Sequence, residues 1–139
     1  MIRFEDVTKT YDGQTRPALR NVTVEIAKGE FAFLVGQSGS GKSTFLRLIL
    51  REYLPTSGHI HVAGKDLSRL HSWKVPALRR QIGTVFQDFR LLPGKTVNEN
   101  VGFAMQVIGK PASLIRTVVP ETLELVGMEG KGDRLPEEL

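Results

Sequence analysis

The sequence contains no cysteine and no apolar run long enough to cross a bilayer. The absence of cysteine excludes a disulfide scaffold and a thiolate metal site, and it is compatible with a reducing cytoplasm. A membrane-spanning helix needs about 18 consecutive apolar residues, so we expect any action at a membrane to depend on a partner. Residues 1–5 do not have the pattern of a signal peptide.

Aromatic residues are also scarce, at 7% of the chain, and they do not alternate with the basic residues. The formal net charge of +4 would suit an acidic partner such as nucleic acid or an anionic lipid. The lysines and arginines are spread thinly, however, without the interleaved aromatic residues of a nucleic-acid surface. We therefore expect no nucleic-acid partner, and we interpret Arg79 and Arg80 as part of a solvated surface.

The most informative stretch is an apolar run over residues 31–35 that passes into a glycine-rich loop and then into a helical pattern. Gly36 is followed after four residues by the run Gly-Lys-Ser at 41–43, which is the spacing of a P-loop. Glycines bring successive N–H groups close to phosphate oxygens, the lysine adds a positive charge, and the serine hydroxyl suits Mg²⁺. The pattern predicts binding of a nucleoside triphosphate. The residues assigned to this site are Gly36, Gln37, Ser38, Gly39, Ser40, Gly41, Lys42, Ser43 and Thr44.

Hydrophobic periodicity predicts strands at residues 2–7, 22–26, 31–35, 59–62 and 82–86. Every position of residues 31–35 is apolar, so we expect this strand at the centre of a sheet, covered on both faces. His59 and His61 share one face of their strand without a third ligand nearby, which favours two exposed histidines over a metal site.

Helical spacing is predicted after the P-loop, at residues 76–80, from Thr96 to residue 108, and over residues 112–126. Thr96 and Glu99 have the spacing of a capping box, in which the two side chains cap each other's backbone N–H groups. The last pattern contains Pro120, which leaves open one helix or two short helices.

Taken together, the motifs resemble the N-terminal part of an ABC-transporter nucleotide-binding domain, over essentially the whole chain. Tyr11 lies upstream of the P-loop, Gln87 follows a predicted strand, and residues 136–139 look like the lead-in to the family's signature motif. The resemblance implies an α/β P-loop NTPase fold with an antiparallel β edge, truncated after residue 139. It implies an ATP-binding core over residues 1–95 and the start of a helical subdomain over residues 96–139.

The resemblance also implies the ligands and the roles of the site residues. It implies that ATP and Mg²⁺ bind the loop, with Lys42 and Gln87 in catalysis and Ser43 and Gln87 at the metal. It favours adenine stacking by Tyr11, for which the residues alone allow packing at a strand end equally well. The alternative for Gln87 is a structural role, in which its side-chain amide caps backbone groups at the end of the predicted strand. Gln37 replaces a proline that is common in the family, and we expect binding to survive this difference.

Within the family, residues 86–92 and 134–139 most resemble the cell-division ATPases. This implies a homodimer that is peripheral to the cytoplasmic face of the cell membrane and that couples ATP hydrolysis to a membrane-embedded subunit in the control of cell-wall hydrolases. The partner is expected to dock at Phe89, Arg90, Leu91 and Leu92; a contact inside the domain is an equal alternative for these residues. The ATPases of lipoprotein and macrolide exporters are the alternative function.

Because the resemblance places the Walker B carboxylates and the switch histidine after residue 139, we expect these 139 residues to be inactive alone. A rival interpretation is a compact P-loop kinase or GTPase, in which residues 82–86 form the metal-binding strand and Asp88 holds Mg²⁺. Arg79, Arg80 or Arg90 would then stabilise charge, although Gln87 separates the strand from Asp88. A third interpretation is a docking or nucleotide-sensing module without hydrolysis.

Overall fold

The computed structural model describes residues 1–139, which form two compact units, Met1–Gly83 and Thr84–Leu139. The predicted boundary after residue 95 concerns the subdomains of the family, and it stays a prediction. None of the helices is both long and apolar enough to pass through a bilayer.

The first unit is built on an antiparallel sheet of four strands in the order β2-β1-β3-β4. The strands are β1 (Ile2–Lys9), β2 (Leu19–Ile26), β3 (Ser57–Val62) and β4 (Lys65–Asp66). Phe4 of β1 lies opposite Val24 of β2 and Ile60 of β3. Side chains that lie directly opposite each other on neighbouring strands share one face of the sheet. Phe4 and Ile60 therefore line the same side, and both are fully buried. The strands predicted at residues 2–7, 22–26 and 59–62 are thus confirmed.

Helix α1 (Lys42–Ile49) packs its apolar stripe into the main core of the first unit, which also contains Phe4 and Ile60. Leu48 is fully buried, and the ring of Phe45 stacks on the ring of Phe4 with centroids 4.3 Å apart. Offset aromatic pairs of this kind add about 0.5–1.5 kcal/mol to the gain from burial. The packing therefore fixes the helix that begins at the end of the glycine-rich loop.

The C-terminal end of α1 is held by a side chain from α2 (Val75–Arg79). The Arg79 guanidinium donates hydrogen bonds to the carbonyl oxygens of Leu50, at 2.9 Å, and Arg51, at 3.2 Å. Carbonyls at a helix end have no partner within the helix, and a cation is favourable there. Arg79 is exposed, as expected for a solvated surface, and its guanidinium in addition caps the end of α1.

Two predicted strands, at residues 31–35 and 82–86, are absent from the structure. Phe31, Phe33 and Val35 are 80–83% exposed, and Val85 is fully exposed. A strand covered on both faces needs hydrogen-bonded neighbours and a second layer. None of β1–β4 pairs with either segment, so the apolar composition alone does not produce a strand here.

The second unit contains helices α3 (Val97–Val107) and α4 (Ala112–Leu125). A small core of Val97, Val119 and Leu123 joins them. Pro120 lies inside α4, so residues 112–125 form one helix rather than two. The remaining helical segments of the chain are short 3₁₀ turns at Ser72–Lys74 and Pro136–Glu138.

The predicted capping box at the start of α3 is confirmed. The Glu99 N–H donates to the Thr96 hydroxyl at 3.2 Å, and the Thr96 N–H donates to the Glu99 carboxylate at 2.8 Å. The Lys95 ammonium, together with the Thr96 N–H, lowers the pKa of Glu99 below its usual value. A lowered carboxyl pKa stabilises the fold above the unfolded-state pKa, and this contribution is lost as the pH falls through the folded-state pKa.

We expect Thr96→Ala to lower the free energy of unfolding by about 1 kcal/mol, because it leaves a helix N–H without its acceptor. The control is Thr117→Ala, which removes an exposed hydroxyl from the interior of α4. Chemical denaturation of both variants measures the difference. Equal stability of the two variants would contradict the role of the cap.

Candidate phosphate-binding site

The glycine-rich loop turns tightly into α1. Gly39 has a φ of 78°, and Gly41, which is the N-cap of α1, has a φ of 96°. Both values lie in the left-handed region that glycine adopts without strain. The Ser40 N–H donates to the carbonyl oxygen of Gln37 at 3.2 Å, and this hydrogen bond closes a turn over residues 37–40. The loop therefore leads directly to the N-terminal end of α1, where unpaired N–H groups favour an anion.

The loop curls around the ammonium group of Lys42. The Nζ atom donates to the carbonyl oxygens of Gly36, at 2.6 Å, and Gln37, at 2.7 Å, and it lies 3.5 Å from the Ser40 hydroxyl. The structure thus places the Lys42 ammonium beside Gly36, Gln37 and Ser40, which the sequence analysis assigned to phosphate binding. The positive charge and the N-terminal end of α1 lie on the same short segment, as an anion site requires.

Two glycines of the loop lie very close to neighbouring atoms. A Cβ atom on Gly36 would lie 2.6 Å from the Ser40 hydroxyl oxygen. A Cβ atom on Gly41 would lie 2.5 Å from the Ala18 carbonyl oxygen and 2.8 Å from a methyl group of Leu19. Because the atom nearest to Gly41 belongs to the backbone, the close approach of the loop to residues 18 and 19 requires glycine at position 41. A loop of bare backbone is suited to triphosphate oxygens.

Thr44 and Tyr11 meet beside the loop. Thr44 is buried in the first turn of α1, and its hydroxyl lies 3.1 Å from the hydroxyl of Tyr11. The Tyr11 ring packs edge-on against Tyr53 at 5.3 Å, with the Lys9 ammonium 5.4 Å from its centre. The structure thus packs Tyr11 just beyond the end of β1, and adenine stacking by this ring stays a prediction.

A polar cleft of about 490 Å³ lies along the loop. Residues 37–40 form one wall, and Gln14, Arg16, Pro17 and Ala18 form the other. Arg16 adds a second cation to the site, which sequence reasoning missed. The available signal was that Arg16 lies in the turn-rich stretch over residues 8–17, where the only other basic residue is Lys9.

The other predicted site residues lie in the second unit. Gln87 is exposed in a bend. Phe89 and Leu91 are exposed, at 88% and 48%, whereas Arg90 folds over the ring of Phe86 at 3.8 Å. The structure therefore divides the predicted docking group into two exposed apolar side chains and an arginine held within the loop.

Leu92, the last member of that group, is partly buried, and its N–H donates to the Asn100 side chain at 2.7 Å. Arg90 also forms an ion pair with Asp88 at 2.9 Å. The segment is therefore ordered by its own contacts, with Phe89 and Leu91 left facing solvent.

The two strand histidines lie near an acidic residue. His59 is more than half exposed, and its Nδ1 atom lies 3.8 Å from the Asp66 carboxylate. Burial acts to raise the pKa of Asp66, but a hydrogen bond from Ser68 and the charges of the two histidines outweigh it and lower the pKa. No group of three or more histidine, aspartate or glutamate side chains converges on a possible metal position.

Comparison with known proteins identifies a consistent set of relatives. The profile of the ABC transporter family matches residues 19–139. The chain is 55% identical to the cell division ATP-binding protein FtsE of Mycobacterium tuberculosis and 46% identical to that of Bacillus subtilis, in both cases over all 139 residues. It is also 41% identical to the methionine import ATP-binding protein MetN of Caulobacter vibrioides.

The chain spans 60% of the length of the two FtsE relatives and 42% of MetN. Among solved structures, it superimposes on a dimeric bacterial ABC transporter cassette with a TM-score of 0.90 and 34% identity. A dimeric ATP-binding cassette in a post-hydrolysis state, with bound ADP and Pi, gives a TM-score of 0.90 and 33% identity. Both matches cover the whole chain and 63% of the other protein.

We expect Gly41→Ala to destabilise the protein more than Gly39→Ala. Alanine at positive φ costs about 1–2 kcal/mol at either position. Only at Gly41 would the new Cβ atom also meet the Ala18 carbonyl oxygen, because nothing lies within 4 Å of a Cβ atom at Gly39. Thermal unfolding of the two variants compares them, and equal losses would show that the loop does not depend on its contact with β2.

Proposed function

Because the chain belongs to the ABC transporter family, we propose that it is the nucleotide-binding part of an ATPase subunit that binds ATP with Mg²⁺ at residues 36–44. The observation that carries the proposal is the loop in which the Lys42 ammonium lies at the N-terminal end of α1. The relative with bound ADP and Pi supports the same ligand class.

The residues of the loop fit this ligand. The N–H groups of residues 37–42 and the Lys42 ammonium would hold the β- and γ-phosphates, and the Ser43 hydroxyl would bind Mg²⁺. When bound, Mg²⁺ neutralises charge on these phosphates. Glycine at positions 36 and 41 keeps the approach free of side chains.

Two residues outside the loop complete the proposed site. Gln87 would position the attacking water and contact the metal, and Tyr11 would stack on adenine. An aromatic face suits any base because it offers an apolar platform. The hydroxyl of Tyr11 supports this placement, since it already contacts Thr44 in the first turn of α1.

For the whole protein we propose an FtsE-like ATPase that hydrolyses ATP to ADP and phosphate as a homodimer. Identities of 46–55% to proteins of that name and the dimeric state of the solved cassettes support the proposal. The protein would act at the cytoplasmic face of the membrane and control cell-wall hydrolases. We propose that residues 1–139 alone do not hydrolyse ATP, since the resemblance assigns the Walker B carboxylates to later sequence.

The proposed membrane partner is an FtsX-like subunit that docks at residues 89–92. Phe89 and Leu91 support the proposal because large apolar side chains exposed together often mark a protein interface. The Arg90 guanidinium lies against Asp88 and Phe86, so the partner would contact mainly the apolar pair.

The exporter alternative finds no support in the MetN relative, whose name describes import of methionine. The higher identities to the FtsE proteins favour the division role.

The interpretation as a compact P-loop kinase or GTPase is not supported, because residues 82–86 form no strand to carry a metal ligand. The Asp88 carboxylate of that interpretation is engaged by Arg90 at 2.9 Å.

We expect Lys42→Ala, made in the full-length natural polypeptide, to weaken binding of Mg²⁺–ATP at least about tenfold, since a charged hydrogen bond contributes about 1.5–3 kcal/mol. Isothermal titration calorimetry measures the affinity. Lys110→Ala is the control, because Lys110 is an exposed lysine just after α3. Unchanged affinity in Lys42→Ala, or the absence of Mg²⁺-dependent binding in the parent protein, would overturn the proposal.

We expect Leu91→Ala and Phe89→Ala to weaken binding to the detergent-solubilised membrane subunit about tenfold or more, as truncation of a central interface residue does. Affinity for ATP should stay the same. Leu125→Ala is the matched control, since Leu125 is 86% exposed on α4. A loss of binding as small as in the control would argue that residues 89–92 do not dock the partner.

A further inference from the structure

An asparagine in the first turns of α3 holds the chain that leads into the helix. The side-chain oxygen of Asn100 accepts the Leu92 N–H at 2.7 Å. Its amide nitrogen donates to the carbonyl oxygens of Lys95 and Thr96, each at 3.0 Å. With a longer contact of 3.4 Å to the Leu92 carbonyl oxygen, one side chain contacts four backbone groups and attaches residues 92–96 to the helix.

A second asparagine, two positions earlier, holds a segment that is distant in sequence. The Val97 N–H donates to the Arg134 carbonyl oxygen at 2.9 Å, and the Asn98 N–H donates to the Gly132 carbonyl oxygen at 2.8 Å. The Asn98 side chain also donates to the Asp133 carboxylate at 3.2 Å. The first N–H groups of a helix have no partner within it, so here residues 132–134 supply the acceptors.

The contact between Asn98 and Gly132 leaves no space. A Cβ atom on Gly132 would overlap the Asn98 amide, 2.5 Å from its nitrogen and 2.7 Å from its carbon. The backbone of Gly132 does not lie in the left-handed region. A side chain at this position would therefore have to displace the Asn98 amide.

We propose that Asn98 and Asn100 are positioning residues of the ATPase reaction, which fasten residues 92–96 and residues 132–134 to the same turns of α3 so that the two segments move together. The inference rests on the proposed function, in which residues 89–92 dock the partner and residues 135–139 lead to the signature motif.

The connection between residues 92–96 and residues 132–134 runs through one helix and contains few freely rotating bonds. Residues 92–96 begin at Leu92, the last of the docking residues, and residues 132–134 directly precede residues 135–139. Hydrogen bonds at both sides join these segments to one regular helix. A displacement of the docking loop therefore carries the second segment with it, without a change inside α3.

Hydrogen exchange in the full-length protein tests the two attachments. Asn100→Ala should speed exchange in residues 92–96 about fivefold, and Asn98→Ala should do so around residues 132–134, as expected for one net hydrogen bond. The control is Gln106→Ala, which removes an exposed amide from the last turn of α3. Exchange that matches the control in both segments would overturn the proposal, and this test needs no nucleotide.

Transmission is tested by adding the detergent-solubilised membrane subunit. In the parent protein, its binding should change exchange in both segments. In Asn98→Ala the change in residues 132–134 should be smaller relative to that in residues 92–96, because the side-chain hydrogen bond to Asp133 is lost while the two backbone hydrogen bonds remain. An equal response of both segments in Asn98→Ala would show that Asn98 does not carry the displacement.

Steady-state kinetics separate positioning from general stability. Asn98→Ala and Asn100→Ala should lower the kcat of ATP hydrolysis about fivefold, the factor for one net hydrogen bond, and leave the KM for ATP unchanged. Gly132→Ala should also lower kcat, and adding Asn98→Ala to it should cause no further loss, since the overlapping amide is then gone. An unchanged kcat, or a raised KM alone, would contradict the inference. A parent protein that fails to bind ATP would instead refute the proposed function.

Discussion

The packing of α1 on the antiparallel sheet is the constraint on which the candidate site depends. Phe45 of α1 stacks on Phe4 of β1, and Leu48 of the same helix is completely buried. At the other end of α1, the Arg79 guanidinium holds the final carbonyls. With the helix axis fixed in this way, the loop before it has to turn against β2, and only Gly41 allows that approach.

The parts of the fold that follow from local chemistry could be predicted from the sequence. The capping box of Thr96 and Glu99 needs only residues three apart, and the alternating strands need only their own side chains. The segment 31–35 differs, because an apolar composition does not specify which strand will pair with it. Its exposure shows that pairing, and not β propensity, decides whether that segment becomes a strand.

The same distinction applies to the candidate sites. The residues of the glycine-rich loop are contiguous, so their spacing alone predicts how they converge on one anion. Arg16 comes to the loop from a separate link, and Asn98 meets Gly132 across 34 positions of sequence. No periodicity marks such contacts. The contact of Arg79 with the end of α1 could not be predicted for a related reason, since its acceptors belong to another helix.

The two carbonyl bonds of Lys42 have a consequence for selectivity. Two of its three N–H donors already have acceptors at 2.6 and 2.7 Å, so an incoming anion has to compete with these carbonyl oxygens for the ammonium. A weakly basic monovalent ion such as chloride offers too little in exchange. A polyanion that engages the loop amides at the same time offsets the loss, because its several contacts act together. A lysine held in this way would favour ligands that present several charges over those that present one.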